Sequence, residues 1–295
     1  MKGFSVALYR LYFAPKAVLQ RVAERWPSTR KPITQIKTWV RTLVLPKGHA
    51  WVRVKSGLSA DLLMRLRFPE EAGSWLGEHE PEVQSAINST VRPGWVVFDV
   101  GSYIGTFALG TARLVGETGR VVAFDGDPTN VERLREHAAA NHMAEILQVV
   151  HAAVWSFGGG NIIPFRRGKI MRSQGGVESG GNHPILGTGD LIHVPVVSLD
   201  EYLESGSRPP DLIKIDVEGG ETEVLRGGAK LFATKRPLII AEIHTAQARD
   251  EIRLWLARSE YSASETMLGD PVPIRLLAWP KEIDPGPWVK LRHEP

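Results

Sequence analysis

The stretch DLIKIDVEGGETEVLRGG, residues 211–228, places a lysine and an aspartate two residues apart at the end of a short apolar run. Two glycines and three glutamates follow within a few residues. In a strand, Lys214 and Asp216 share a face with Leu212, while Ile213 and Ile215 point the other way. A lysine inside a central strand needs an anionic partner, because leaving a buried charge alone costs about 3–5 kcal/mol. Glu242 is the one acid in PLIIAEIH, and it alternates with Ile240 and His244, so a Lys214–Glu242 ion pair is expected. Glu218 and Glu221 precede a helical stripe of Leu225, Ala229 and Phe232, where carboxylates serve as N-terminal caps. His244 is the leading candidate for a base working near neutral pH, with Glu242 to orient it or to serve in its place. Asp216, Glu242 and His244 are also donors of the kind that Mg²⁺ accepts. Nothing in their spacing requires an ion and Lys214 competes for the same charge, so no metal ligand is assigned.

A second constellation lies upstream. VFDVGSYIGTFALG follows an apolar run with Asp99, Gly101 and Gly105. A nicotinamide fingerprint starting at Gly101 would need glycines where Tyr103 and Thr106 stand, and a side chain at the first of these would obstruct a pyrophosphate. The loop suits a nucleoside ligand that has no pyrophosphate. Asp125, in FDGDP at the next strand tip, lies at the spacing expected of a carboxylate on ribose hydroxyls.

These residues must be held by a fold. Short apolar strands (WVVFDV, RVVAFD, ILQVVHAAV, LIKID, PLIIAEIH, IRLLAW) alternate with helical patterns over 106–115, 130–141, 221–233 and EIRLWLARS. That order implies an α/β chain with a parallel sheet covered on both faces. A hairpin from WVRVKSG and DLLMRLRF and a helix over 80–90 precede it. SLDEYL offers a capping box, with Ser198 at the cap and Glu201 three residues on. The segment Gly158–Asp190 breaks the rhythm, and carries Arg166, Arg167, Lys169, Arg172 and His183, which would suit an acidic acceptor.

Composition bounds the rest. The chain has 295 residues, no cysteine and a net charge of +3. Disulfides, thiolate metal sites and a cysteine nucleophile are excluded, and a reducing, cytoplasmic setting fits. Residues 1–50 hold ten Lys/Arg against one acid, a balance of +9 that leaves −6 for the remainder. This segment reads as a basic amphipathic helical extension (1–50) ahead of one domain (51–295), with peripheral membrane or partner contact through residues 1–45 as one use. Its apolar runs are too short for a membrane span. His79, His137, His142 and His151 have no ligand-like spacing and are read as structural or surface residues. Oligomeric state is not legible.

With these motifs in order, residues 52–265 resemble the FkbM-type methyltransferases, which use S-adenosylmethionine and have the seven-stranded class I methyltransferase fold. The resemblance rests on WLGEHEPEV, VFDVGSYIGTFAL (Ser102-Tyr103 where the family usually has Ala-Asn), VVAFDGDPTNVERL, SLDEYL, LIKIDVEGGETEVLRGG and IIAEIH. It implies that Asp99, Gly101 and Gly105 surround the methionine part of the cofactor, with Ser102, Tyr103, Gly126 and Asp127 in the two turns that face it. Asp125 would take the ribose, Ala152 or Ala153 the adenine, and Asp216 would sit near the reacting methyl. Glu242 and His244 would face the acceptor, a hydroxyl of a small, sugar-like or natural-product molecule. A non-catalytic nucleoside-binding module and an N-methyltransferase are the alternatives. A nucleic-acid substrate is not expected, since the basic residues are not interleaved with aromatics, and base-amine methylating enzymes usually carry an Asn/Asp-Pro-Pro-aromatic turn where DVEGG stands.

Overall fold

The computed structural model describes residues 47–168, 176–177 and 189–284. Most of the basic extension therefore lies outside the described residues, as do Lys169, Arg172 and His183. The described chain forms two compact units, 47–52 with 65–73, and 53–64 with 74–284. The first carries most of a two-stranded sheet, β1 (Gly48–Arg53) and β2 (Leu63–Phe68). The elements that follow are α1 (Ala72–Leu76), α2 (Pro81–Thr90), β3 (Val96–Val100), α3 (Thr106–Val115), β4 (Arg120–Asp125), α4 (Pro128–Ala140), β5 (Leu147–His151) and β6 (Ala153–Val154). Then come β7 (Ile162–Arg166), β8 (Gly176–Val177), β9 (Leu191–Val197), α5 (Leu199–Glu204), β10 (Leu212–Ile215), α6 (Glu221–Gly227) and α7 (Ala229–Thr234). The last are β11 (Leu238–Ile243), α8 (Ala246–Arg258), β12 (Tyr261–Met267) and β13 (Ile274–Pro280).

The second unit is built on a seven-stranded sheet in the order β12-β13-β11-β10-β3-β4-β5. From β11 to β5 neighbouring strands are parallel, and β13 runs antiparallel to both β11 and β12. This is the expected α/β arrangement, a seven-stranded, mostly parallel sheet. Its central strands are mostly apolar because helices cover both faces: every residue of β3 is buried. On one face Phe98, Phe124 and Tyr202 meet edge to face, with centroids 5.0–5.7 Å apart, and Leu225, Phe232 and Ile252 from α6, α7 and α8 pack around them. The other face carries the polar pair Asp99 and Lys214, which are Cα partners in the β3–β10 register.

The chain winds outward in both directions from β3 and β10. A crevice therefore opens at their carboxyl ends, where open α/β sheets bind ligands. Local signals set the elements that border it. Pro128 starts α4, and Asp127 caps it by accepting from the Thr129 N–H at 2.8 Å. The capping box at Ser198 and Glu201 forms as expected.

Three expectations change. The run ILQVVHAAV is not one strand: it breaks at Ala152, and β6 leaves for a second sheet, β6-β9-β7-β8. That sheet occupies part of the segment expected to be irregular, since Ile162–Arg166 pairs antiparallel with Leu191–Val197. The helix expected over 221–233 is two short ones meeting at Gly228, where an added Cβ would lie 2.7 Å from the Phe232 ring.

Candidate active site

Four strand tips line a cleft that is partly open to solvent. Gly101 and Tyr103 follow β3, Asp125 and Gly126 end β4, Ala152 and Ala153 follow β5, and Asp216 follows β10. Trp155 and Phe165 complete an apolar side. Gly101 is indispensable to this closeness. It has φ +83°, and a Cβ there would stand 1.7 Å from the carbonyl oxygen of Asp216. Tyr103 also adopts a left-handed conformation (φ 51°), and its N–H donates to Asp125 Oδ2 at 2.8 Å. The tyrosine thus ties the first turn to the second.

Asp125 Oδ1 accepts from the Asp127 N–H at 2.8 Å and from Asn130 Nδ2 at 3.2 Å. Burial nonetheless pushes its carboxyl up to about 7, against these bonds. Four residues expected at the cofactor stand behind the lining. Ser102 Oγ donates to the Phe124 carbonyl at 3.2 Å. Gly105 begins α3 where a Cβ would lie 2.0 Å from Leu134. Asp127 is fully buried, and its carboxylate is engaged by the cap and by Arg167, at 2.9 and 2.7 Å. Arg167 is therefore committed within the fold rather than held out for an acidic acceptor. Asp99, 2 % exposed, has no hydrogen-bond partner on either oxygen; Lys214 Nζ lies 3.6 Å away.

The expected Lys214–Glu242 pair is not formed. Lys214 Nζ bonds Asp216 Oδ2 at 3.2 Å, faces Asp99, and lies 4.9 Å over the Phe107 ring. The reason is strand order: β10 has two neighbours, and the acid level with Lys214 is on β3, whereas its partner on β11 is Ile240. Glu242 is instead level with Arg275 on β13, whose Nη2 lies 3.4 Å from it. Burial works against the Lys214 charge, but Asp216 and Asp99 outweigh it and hold the ammonium well above its usual range.

His244 stands among carboxylates. Its Nδ1 is 2.7 Å from Glu221 Oε1. Its Nε2 faces Glu218 Oε2 at 3.5 Å, Glu242 Oε1 at 3.5 Å and Asp216 Oδ1 at 3.8 Å. Burial opposes its charge, but the contacts with Glu221 and Glu242 win and push its pKa up to about 11. At neutral pH the ring is an imidazolium and has no lone pair for a proton, which does not suit the base expected at this position. Glu221 does not act as a simple surface cap. It is fully buried, and Oε1 also accepts from the Gly219 N–H at 2.9 Å.

The other histidine of the site is His79. Its ring lies 5.6 Å from Phe107, the ring that also carries Lys214, and its Nε2 is 3.3 Å from Glu80 Oε1. Burial, and then Lys214, lower its pKa below 6.5, so it is neutral at physiological pH. Sequence reasoning passed over it. The available signal was its place in WLGEHEPEV, where Glu80 takes a left-handed conformation ahead of Pro81.

With this geometry in view, comparison with known proteins is direct. A family model described as the methyltransferase FkbM domain matches residues 99–263. The hexuronic acid methyltransferase AglP of Haloferax volcanii is 29% identical over 181 residues, 59% of this chain and 66% of that protein, just under two thirds of its length. The 31-O-demethyl-FK506 methyltransferase FkbM of Streptomyces tacrolimicus is 30% identical over 228 residues, 70% of this chain and 82% of that protein. Among solved structures, a methyltransferase FkbM from Methylobacillus flagellatus is 18% identical with a TM-score of 0.44, covering 67% of this chain and 54% of that one. The family match spans more than half of the chain and takes in both the glycine turn and the carboxylate–histidine cluster: the chain belongs to the FkbM methyltransferase family.

Proposed function

We propose that this protein transfers the methyl group of S-adenosylmethionine to a hydroxyl of a sugar-like or natural-product acceptor. One observation carries the reading. Asp216 lines the cleft at the strand tips and also faces His244 in the cluster beside it, so the cofactor and acceptor sides meet at one carboxylate. The cavity fits the cofactor part by part. Trp155 and Phe165 offer apolar faces to an adenine, Asp125 offers a carboxylate to ribose hydroxyls, and the Gly101 turn leaves room for the methionine portion. Asp99 stands behind this lining, facing Lys214. The two curated relatives, by name, act on a hexuronic acid and on 31-O-demethyl-FK506.

S-adenosylmethionine supplies a methyl already activated by its sulfonium and leaves as S-adenosylhomocysteine. What remains for the protein is alignment, which in favourable cases supplies about 7–11 kcal/mol, and removal of one proton. Asp216 is kept ionised: burial alone would raise its pKa, but Lys214 and His244 hold it below the ordinary range. It accepts the acceptor's hydroxyl hydrogen bond and aims the oxygen at the methyl carbon. Glu242 and the His244–Glu221 pair fix the acceptor side. The proton leaves to His79, the neutral histidine of the site, in place of His244.

The test is to supply methyl-labelled cofactor with a panel of hexuronates, neutral sugars and macrolide hydroxyls, and to locate the label by mass spectrometry. Label on an acceptor oxygen supports the reading. Label found only on amines, or on nothing while S-adenosylhomocysteine binds, would move the assignment to an N-methyltransferase or a nucleoside-binding module.

A further inference from the structure

His79 enters the site on a turn that is built to hold it. Its main chain is pinned by Gln84, a buried amide on α2. Gln84 Nε2 donates to the carbonyls of Gly77 and His79 at 3.2 and 2.5 Å, and Oε1 accepts from the Leu58 N–H at 2.7 Å. The imidazole then lies 5.6 Å from the Phe107 ring. Its nitrogens are set by the next residue.

Glu80 stands at the cap of α2 in a conformation that does not suit a glutamate. Its backbone is left-handed, with φ 45° and ψ 64°, a region that glycine and asparagine occupy with less strain. A side chain at a helix cap ordinarily accepts from a free N–H of the first turn, but the Glu80 carboxylate makes no such bond. Its oxygens are used elsewhere. Oε1 lies 3.3 Å from His79 Nε2, and Oε2 lies 3.6 Å from Arg275 Nη2. Backbone strain of this kind persists where the surroundings enforce it, and it concentrates at functional sites.

Arg275 supplies the enforcement. It sits on β13, 6 % exposed, and its guanidinium also meets Glu242 at 3.4 Å and Glu82 at 3.2 Å. Burial pushes the Glu80 carboxyl up to about 7; Lys214 and Arg275 work against that rise, and Asp216 and Glu242 add to it. Above this value the carboxylate can only accept. Its contact with Nε2 then places the ring proton there, and Nδ1 keeps the lone pair. Besides Glu80, the charges around the His79 ring are Lys214, Asp216, Glu242 and Arg275.

We infer that Glu80, anchored by Arg275, is a positioning residue for methyl transfer: it holds the ring proton of His79 on Nε2 and so reserves Nδ1 for the proton of the acceptor hydroxyl. The inference rests on the reading of His79 as the proton acceptor. As the oxygen–methyl bond forms and the sulfur–methyl bond breaks, the hydroxyl proton passes to Nδ1, and the imidazolium so created faces a carboxylate. The same contact makes His79 a stronger base than burial and Lys214 alone would leave it.

The decisive measurement needs no acceptor. Full-length protein with nitrogen-15 in its histidine rings is titrated from pH 5 to pH 9 with S-adenosylhomocysteine present, and the His79 signals are those lost in His79→Gln. At pH 8 the wild-type ring should be the Nε2–H tautomer. Glu80→Gln should lower the His79 pKa by about one unit, as expected when a carboxylate this close is removed. Glu82→Gln, which alters a contact with the same Arg275 but none with His79, should leave it unchanged. With an acceptor that takes up the labelled methyl, Glu80→Gln should cut kcat about tenfold at unchanged KM, and should cut nothing further in the His79→Gln protein. A ring protonated on Nδ1 at pH 8, a His79 pKa indifferent to Glu80→Gln, or a kcat loss that adds to that of His79→Gln would overturn the inference. The tautomer and the pKa are read whether or not a methyl is transferred, while S-adenosylhomocysteine binding and the fate of the label test the methyl-transfer reading separately.

Discussion

Replacing Lys214 with methionine tests the electrostatic frame of the site. Methionine retains the apolar stem over Phe107 and removes only the charge that faces Asp99 and Asp216, at 3.6 and 3.2 Å. The Lys214 side chain is 5 % exposed, so water does not replace it. The cheapest relief is a proton on one of the two carboxylates. Holding a carboxyl protonated costs about 1.4 kcal/mol for each pH unit above its ordinary pKa of about 3.9. The variant should therefore lose about 4 kcal/mol at pH 7, and about 1.5 kcal/mol at pH 5. The first figure agrees with the roughly 3–5 kcal/mol lost when a buried pair is broken. The sign follows from proton counting: the folded variant binds one proton more than the folded wild type, so it falls further behind as pH rises. Urea denaturation of both proteins in EDTA, at pH 5, 6 and 7, measures this. A loss below about 1 kcal/mol at pH 7, or one that does not shrink at pH 5, would refute the role given to Lys214.

Three further expectations follow from single contacts. Gly101→Ala should abolish S-adenosylhomocysteine binding, because its Cβ meets the Asp216 carbonyl at 1.7 Å, whereas Gly116→Ala, with open space around it but φ 65° and ψ −171°, a backbone region essentially confined to glycine, should cost only the backbone strain of about 1–3 kcal/mol and leave binding intact. Glu221→Gln should lower the His244 pKa from about 11 towards 6.5, read from imidazole nitrogen shifts. Since the folded pKa is raised, the stability it contributes is complete below about pH 6.5 and fades as pH climbs through about 11, so the two proteins should converge in alkali. His79→Gln should cut kcat by roughly 10²-fold or more and remove the limb by which the wild-type rate rises with pH below 6.5; an unchanged pH profile would dismiss His79 as the proton acceptor.

What could be read from the chain alone divides along a physical line. Periodicity places residues on a face, and it put Lys214, Asp216, Glu242 and His244 on one side of their strands. It does not say which strands are neighbours, and the Lys214 pairing failed for that reason: the partner is Asp99, more than a hundred residues earlier. The glycine turn and Asp125 were legible because tight turns and strand tips have local requirements. Glu221 was not, since its local context is a helix start and its bond to His244 exists only once α6 packs against β11. His79 left almost no trace, because a lone histidine before a helix has no spacing to betray it. The strands β7 and β9 were hidden by the glycine-rich, basic composition between them.

The central claim is that the cavity at the β3 and β10 tips holds S-adenosylmethionine. Calorimetric titration of S-adenosylhomocysteine into the EDTA-treated protein, beside NAD, tests it most directly. The account requires one molecule bound per chain, no heat from NAD, and loss of binding in Gly101→Ala. Binding of NAD, or silence from both ligands in a folded protein, would contradict it.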